Sequence, residues 1–280
     1  MKIDVIINEY EKEKYTLLIK NVESVWERSV YNVEFHNDDF AVVFNKYYES
    51  SRQKANFLFL DQNGIKQITE SVFSKLIALK QTDFIFFISS SFIKRFSEVD
   101  EFRKYLNITK QNLEGKSYYH IHRSVLEYYR SLIPNSKEYF LAPFSIKKPA
   151  GIYGLIFGTN HTLGIEKFLH VCWKHDKLRG EANFDIDNER INLSQPSMFD
   201  EFNIPSKKQV FVSSLKKKIL QKQLQSDKEI YLFTLNEGFM MKEANTILKD
   251  LEKEGKISLT SKLVNSDLHK IKIPSKIKLI

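Results

Sequence analysis

"MKEANTILKDLEKEGKI" (Met241–Ile257) decides how the last quarter of the chain folds. Met241, Ala244, Leu248 and Leu251 recur at helical spacing and make one apolar stripe. Gly255 stands where a helix ends on a left-handed residue. Upstream, "QVFVSSLKKKILQKQL" (Gln209–Leu224) is a second helical pattern, and "DKEIYLFTLNEG" (Asp227–Gly238) is a short helix or turn. Downstream, "SLTSKLVNSDLHKIKI" (Ser258–Ile273) reads as two strands joined by a loop. Three helices followed by a β-hairpin predict a winged helix-turn-helix over residues 207–280.

Charge sets the same segment apart. Residues 206–280 hold 16 Lys, no Arg and 8 Asp or Glu, whereas residues 1–205 hold 27 basic and 27 acidic residues. The whole net charge of +8 therefore sits in the C-terminal quarter. A basic module on a neutral body points to nucleic acid as the partner, with a Lys-rich solubilising surface as the alternative. In a winged helix that reads DNA, Lys242, Asn245, Thr246, Lys249 and Lys253 face the major groove. Lys256, Lys262, Lys270 and Lys272 line the wing. Glu243, Asp250, Glu252 and Glu254 mix the field of the same helix, and the preferred guanine reader, arginine, is missing. These features suit backbone contact rather than base readout, or docking on a protein.

The preceding 200 residues alternate short apolar runs with helical patterns, the signature of βα units. Strands are predicted at Ile3–Glu9, Asn32–Asp38, Asn56–Gly64 and Phe84–Ser89, with helices after the first three, then around Val99–Tyr105 and Tyr119–Leu132. The run Phe57-Leu58-Phe59-Leu60 reads as a strand buried on both faces. "EYFLAPFSI" and "IYGLIFGTN" make an antiparallel pair, whose glycines serve close packing. "TLGIEKFLHVCWKHD" is a helix with Leu163, Phe168, Cys172 and Trp173 inward. The fold class is α/β, a Rossmann-like, mostly parallel sheet over 1–180, with a polar, Pro-containing linker at 181–206. At 42% hydrophobic content the chain supports a real core, yet it has no run near the roughly 18–20 apolar residues of a membrane span. The N-terminus lacks a secretory h-region, and the single Cys172 excludes an internal disulfide, so a cytoplasmic setting is expected.

In such a sheet, ligands bind beyond the carboxyl ends of the strands. Three consecutive strands end in acids: Glu9, Asp38 or Asp39, and Asp61. A carboxylate there accepts hydrogen bonds from ribose hydroxyls or an adenine amino group. Glu9, Asp38 and Asp39 are thus the candidate cofactor residues, unless the acids only cap strands and start helices. "DQNG" (Asp61–Gly64) is either the rim of a site, with Asp61 and Asn63 as its polar groups, or a plain turn. No His/Cys/Asp spacing matches a metal site, so no metal is assigned.

"IDVIINE", "FLFLDQNGIKQI", "TDFIFFISSSFIKRF", "IYGLIFGTNHTLGIEKFLHVCWK" and "EANTILKDLEKEGKI" together resemble the three-Cys-motif partner proteins, in order from Ile3 to Ile257. The resemblance implies a methyltransferase-related body with S-adenosylmethionine as cofactor, and a phage-defence or mobile-element setting. Two departures stand out. The family's FxDPFG pattern is here Leu60-Asp61-Gln62-Asn63-Gly64, which keeps Asp and Gly but loses the Pro-Phe pair. The family's upstream Gly-containing motif has no counterpart, because no glycine precedes Gly64. The chain therefore reads as starting at the second strand of such a sheet. Either the chain is truncated, a partner supplies the missing unit, or the fold has lost its cofactor, so catalysis is expected to be absent or to depend on the missing N-terminal unit. The alternative is an active S-adenosylmethionine-dependent nucleic-acid methyltransferase.

Overall fold

A computed structural model describes residues 2–61, 66–90, 93, 118–149, 151–190, 205–259, 268, 270 and 274–280. Two units result, Met1–Asn56 and Phe57–Ile280.

In the first unit, β1 (Ile3–Asn8) and β2 (Tyr31–His36) pair in parallel, Ile3 opposite Tyr31 and Asn8 opposite His36. Parallel neighbours need a crossover, and α1 (Lys12–Glu23) supplies it. α2 (Phe40–Ser51) follows. Among the described residues of this unit only Val43 is buried, while Ile3, Ile6, Leu17 and Val42 are exposed.

The second unit opens with β3 (Asn56–Leu60), α3 (Glu70–Ala78), β4 (Thr82–Ser89) and α4 (Ile121–Ser131). β5 (Phe140–Lys148), β6 (Gly151–Thr159) and α5 (Thr162–His175) complete its first half. The strands lie in the order β3-β4-β6-β5, and β6 is antiparallel to both β4 and β5. The expected antiparallel pair is present. β4 and β5 therefore run in the same direction, with β6 reversed between them. β3 is an edge strand, with Phe57 and Phe59 exposed, rather than a strand buried on both faces. The helix expected near Val99–Tyr105 lies outside the described residues.

Alternation along β4 divides its side chains between two layers. Phe84, Phe86 and Ile88 are buried on one face. There the Phe73 ring of α3 lies 4.8 Å from Tyr129 of α4, and Tyr129 lies 5.0 Å from Phe86. The Tyr129 hydroxyl donates to the Ile68 carbonyl at 2.7 Å, so the buried phenol is satisfied. Glycine makes this layer close. Opposite Phe84 on β6 stands Gly158, where a Cβ would come within 2.2 Å of the ring. On the other face Phe157 stacks on Phe168 of α5 at 4.5 Å.

That second layer continues into the C-terminal segment. α6 (Lys207–Leu220), α7 (Asp227–Asn236) and α8 (Met241–Lys253) are followed by β7 (Ile257–Leu259) and β8 (Ile277–Leu279), an antiparallel pair. Phe140, Phe157, Ile165 and Leu169 form one apolar cluster with Phe211, Leu215, Tyr231, Phe239, Leu248 and Leu251. The winged helix thus shares a core with the sheet. Residues 181–206 were expected as a linker. The described stretch Glu181–Arg190 is instead fastened to the body: Ser145 donates its amide to the Glu181 carbonyl at 2.7 Å, and Glu181 and Glu189 are buried.

Replacing Gly158 by alanine must displace the Phe84 ring. Gly158→Ala is expected to cost about 1–3 kcal/mol, as overpacking of a filled core does. Chemical denaturation of the two proteins side by side measures it.

Candidate functional site

Each helix of the winged module starts on its own local signal. Ser206 and Gln209 form a capping box on α6, and Ser226 and Glu229 form another on α7. Gly238 (φ +76°) turns α7 into α8. α8 ends as a Schellman motif: Gly255 (φ +67°) donates to Glu252 and Lys256 donates to Leu251, each at 3.0 Å. Met241, Ala244, Ile247, Leu248 and Leu251 are buried beneath α8.

The stripe facing away carries the expected nucleic-acid residues. Lys242, Thr246, Lys249 and Lys253 are exposed at i, i+4, i+7 and i+11 spacing, and Asn245 is half-buried beside them. Thr246 spends its hydroxyl on the Lys242 carbonyl. No described residue pairs with the ammonium groups of Lys242, Lys249 or Lys253. Lys270 is exposed, and Lys262 lies outside the described residues. Lys256 is committed to Glu254 at 2.7 Å.

In the first unit the parallel β1–β2 pair brings Glu9, Asp38 and Asp39 to one end. Asn8 and Asn37 stitch the two strand ends together: Asn8 donates to the Asp38 carbonyl at 3.0 Å, and Asn37 donates to the Glu9 and Tyr10 carbonyls at 2.7 and 2.8 Å. Two of the three acids serve the backbone. Asp39 caps α2 by accepting from the Ala41 amide at 2.8 Å, and Glu9 accepts from the Glu11 amide at 2.9 Å. Asp38 is exposed, and no described residue bonds its carboxylate. It is the acid of this end available to a ligand. Asp61 is exposed at the end of β3; Asn63 lies outside the described residues.

Sequence reasoning missed a charged clasp. His120, His122 and Arg123, at the start of α4, meet Glu181 and Asp187, 58 to 67 residues on. His122 Nε2 lies 3.0 Å from Glu181, and His120 Nε2 lies 2.7 Å from Asp187. Arg123 bonds both acids, reaching Asp187 at 2.8 Å. Arg179 pairs with Asp187 at 3.0 Å and with Glu189. Glu189 in turn accepts the Lys207 amide at 3.1 Å, and the Lys207 ammonium donates to the Arg179 carbonyl at 2.8 Å. Burial alone would raise the Glu181 carboxyl. The His122 and Arg123 hydrogen bonds and the charges of Lys207 and Arg123 override it, holding the group well below its ordinary 4.5. Burial lowers the Lys207 ammonium against the pull of Glu181. Burial pushes the Cys172 thiol up to about 12, so it is inert at neutral pH. Among the described residues no group of His, Cys, Asp or Glu is placed to hold a metal, and no helix is long and apolar enough to cross a membrane.

Residues 184–262 match the GMT-like wHTH domain family. The match spans the later half of the clasp and all three helices, so the C-terminal part of the chain is a winged-helix domain. No curated protein and no solved structure matches the chain.

Glu181→Gln leaves Arg123 and His122 beside a neutral amide. We expect a loss of about 3 kcal/mol at neutral pH, the scale of breaking a buried pair. Because the folded pKa of Glu181 is depressed, its stabilisation is present above about 4.5 and fades as pH falls through the folded value. The gap in melting temperature between wild type and variant should be wide at pH 7 and narrow below that range.

Proposed function

We propose that this protein binds nucleic acid through its winged-helix domain, carried on a methyltransferase-related α/β body of the three-Cys-motif partner type. The observation that carries the reading is the lysine excess of residues 206–280, set on a domain of winged-helix fold with exposed lysines on α8. Winged helices present such a helix and wing to duplex grooves, and lysine supplies point charges for phosphates. The parallel β1–β2 unit and the terminal antiparallel hairpin support the methyltransferase-related body. Residues 1–63 contain no glycine, so they offer no turn on which a backbone approaches a cofactor. Binding is the work this reading assigns to the chain, and a phage-defence or mobile-element setting follows from the resemblance.

Fluorescence anisotropy with labelled duplex DNA, single-stranded DNA and RNA tests the reading. Four phosphate contacts predict a loss of affinity on the order of a hundredfold between 50 and 200 mM salt. Affinity that ignores salt, or no binding to any of the three, would count against it.

One observation favours the enzyme reading: Asp38 keeps an uncommitted carboxylate at the strand ends. If a cofactor cleft exists, calorimetric titration with S-adenosylhomocysteine gives micromolar binding that Asp38→Ala abolishes. An absence of heat leaves the acids without a ligand role.

A further inference from the structure

Edge strands that stay unpaired are guarded by charge, by proline or by a covering segment. β5, at one end of the β3-β4-β6-β5 order, has all three. Pro143 removes a donor, and Lys147 and Lys148 are exposed. Residues 181–183 run along its outer side. Ser145 accepts the Asn183 amide at 3.0 Å, and the Asn183 side chain accepts the Lys147 amide at 2.7 Å. In the first unit, β1 carries Asp4 and β2 carries Glu34.

β3, at the opposite end of the order, has none of these guards. Asn56-Phe57-Leu58-Phe59-Leu60 holds no charge and no proline, and among the described strands only β4 lies beside it. Phe57 and Phe59 share one face by alternation and are 62% and 58% exposed. Phe59 meets Phe87 of β4 edge-on at 5.4 Å, which ties the exposed rings to the sheet. Leu58 and Leu60 are half-buried on the opposite face. A bare apolar edge of this kind is a template for another strand.

The sequence of β3 fits a copy of itself. Phe57-Leu58-Phe59 reads the same in both directions. Antiparallel pairing about a twofold axis at Leu58 sets Phe57 of each copy opposite Phe59 of the other. Opposite side chains share a face, so the four rings form two aromatic cross-strand pairs. A slip of one residue would put the rings of the two copies on opposite faces. Charge agrees with this direction. Lys54, which also pairs with Asp4 at 3.1 Å, precedes the strand, and Asp61 follows it. The antiparallel arrangement brings unlike charges together at both ends of the pair, whereas a parallel one sets like beside like.

Rings of about 200 Å² at these exposures remove on the order of 240 Å² per copy from water, well under the about 800 Å² that a standard interface takes from each partner. Backbone hydrogen bonds add to this, and the contact is a weak one. Because β5 is closed, the pairing stops at two copies.

We propose that β3 pairs antiparallel with β3 of a second copy, making a weak twofold dimer whose sheet runs unbroken through both molecules. The proposal is independent of the nucleic-acid reading.

Sedimentation velocity between about 1 and about 300 μM, a range suited to a small interface, tests it. Wild type should pass from monomer to dimer as concentration rises. Phe57→Lys/Phe59→Lys should stay monomeric and melt near the wild-type temperature, since both side chains are exposed. A cross-linking arm reads the register whatever that variant does. Cys172, the chain's single cysteine, is buried, so a cysteine placed in β3 supplies the reactive thiol. Under mild oxidation, a mixture of Phe57→Cys and Phe59→Cys should cross-link about tenfold faster than either protein alone, because opposite Cβ atoms lie near bridging distance and diagonal ones do not. Wild type that stays monomeric throughout, or a mixture that cross-links no faster than its components, would overturn the proposal. A monomer in which every β3 amide resists hydrogen exchange would overturn it in favour of a strand other than that of a second copy.

Discussion

One apolar cluster joins the sheet to the winged helix, and within it Phe211 stacks on Phe239 at 4.0 Å. Phe211 belongs to α6, and Phe239 lies in the turn that aims α8. Trp173 of α5 packs on Phe239 at 5.3 Å and donates its indole N–H to the Gly238 carbonyl at 2.9 Å. α5 in turn buries Ile165 and Leu169 in the same cluster as Phe140 and Phe157 of the sheet. The turn that sets α8 is therefore packed from the sheet side. Separating the two halves would expose these aromatics, at a cost of about 25 cal/mol for each Å² returned to water.

Polar groups finish what the aromatics begin. Arg130 of α4 donates to the Leu141 carbonyl of β5 and to the Asn236 carbonyl at the end of α7, both at 3.1 Å. A cation there also complements the negative end of the α7 dipole. The Glu181–Asp187–Glu189 clasp ties the connecting segment to α4 on one side and α6 on the other. A winged helix mounted this way leaves its outer α8 stripe, the α6–α7 turn and β8 facing solvent. Those are the surfaces on which the lysines sit.

Much of the winged helix was legible because its signals are local. The Met241–Leu251 stripe and Gly255 each lie within a few residues of the feature they control, as do the two capping boxes, which the sequence reading passed over. Strand-end acids were half legible. Capping chemistry was one of the two readings open for Glu9 and Asp39, whereas the uncommitted state of Asp38 depends on Asn8 and Asn37 closing the turn. What failed was non-local. The aromatic content of Phe57–Leu60 suggested burial on both faces, but among the described strands β3 lies at the end of the β3-β4-β6-β5 order and Phe57 and Phe59 are exposed. On α5 the expected inward set was Leu163, Phe168, Cys172 and Trp173. Cys172 is buried and Phe168 and Trp173 pack against the core; Ile165 and Leu169 are the buried residues that were missed, because the helix packs against the sheet on one side and the winged helix on the other. The polarity of Glu181–Arg190 suggested a linker, since nothing nearby in sequence shows that His122 and Arg123 await those acids.

The central claim is that a ligand on the winged helix is felt by the sheet, because the two share a core. Amide hydrogen exchange, with and without a saturating DNA duplex, tests it directly. A ligand that binds only the folded state stabilises every amide that exchanges by global opening by the same amount. The account predicts equal added protection in α8 and in the inner amides of β5 and β6. Added protection confined to α6–α8, with β5 and β6 unchanged, would contradict it and make the winged helix an independent domain.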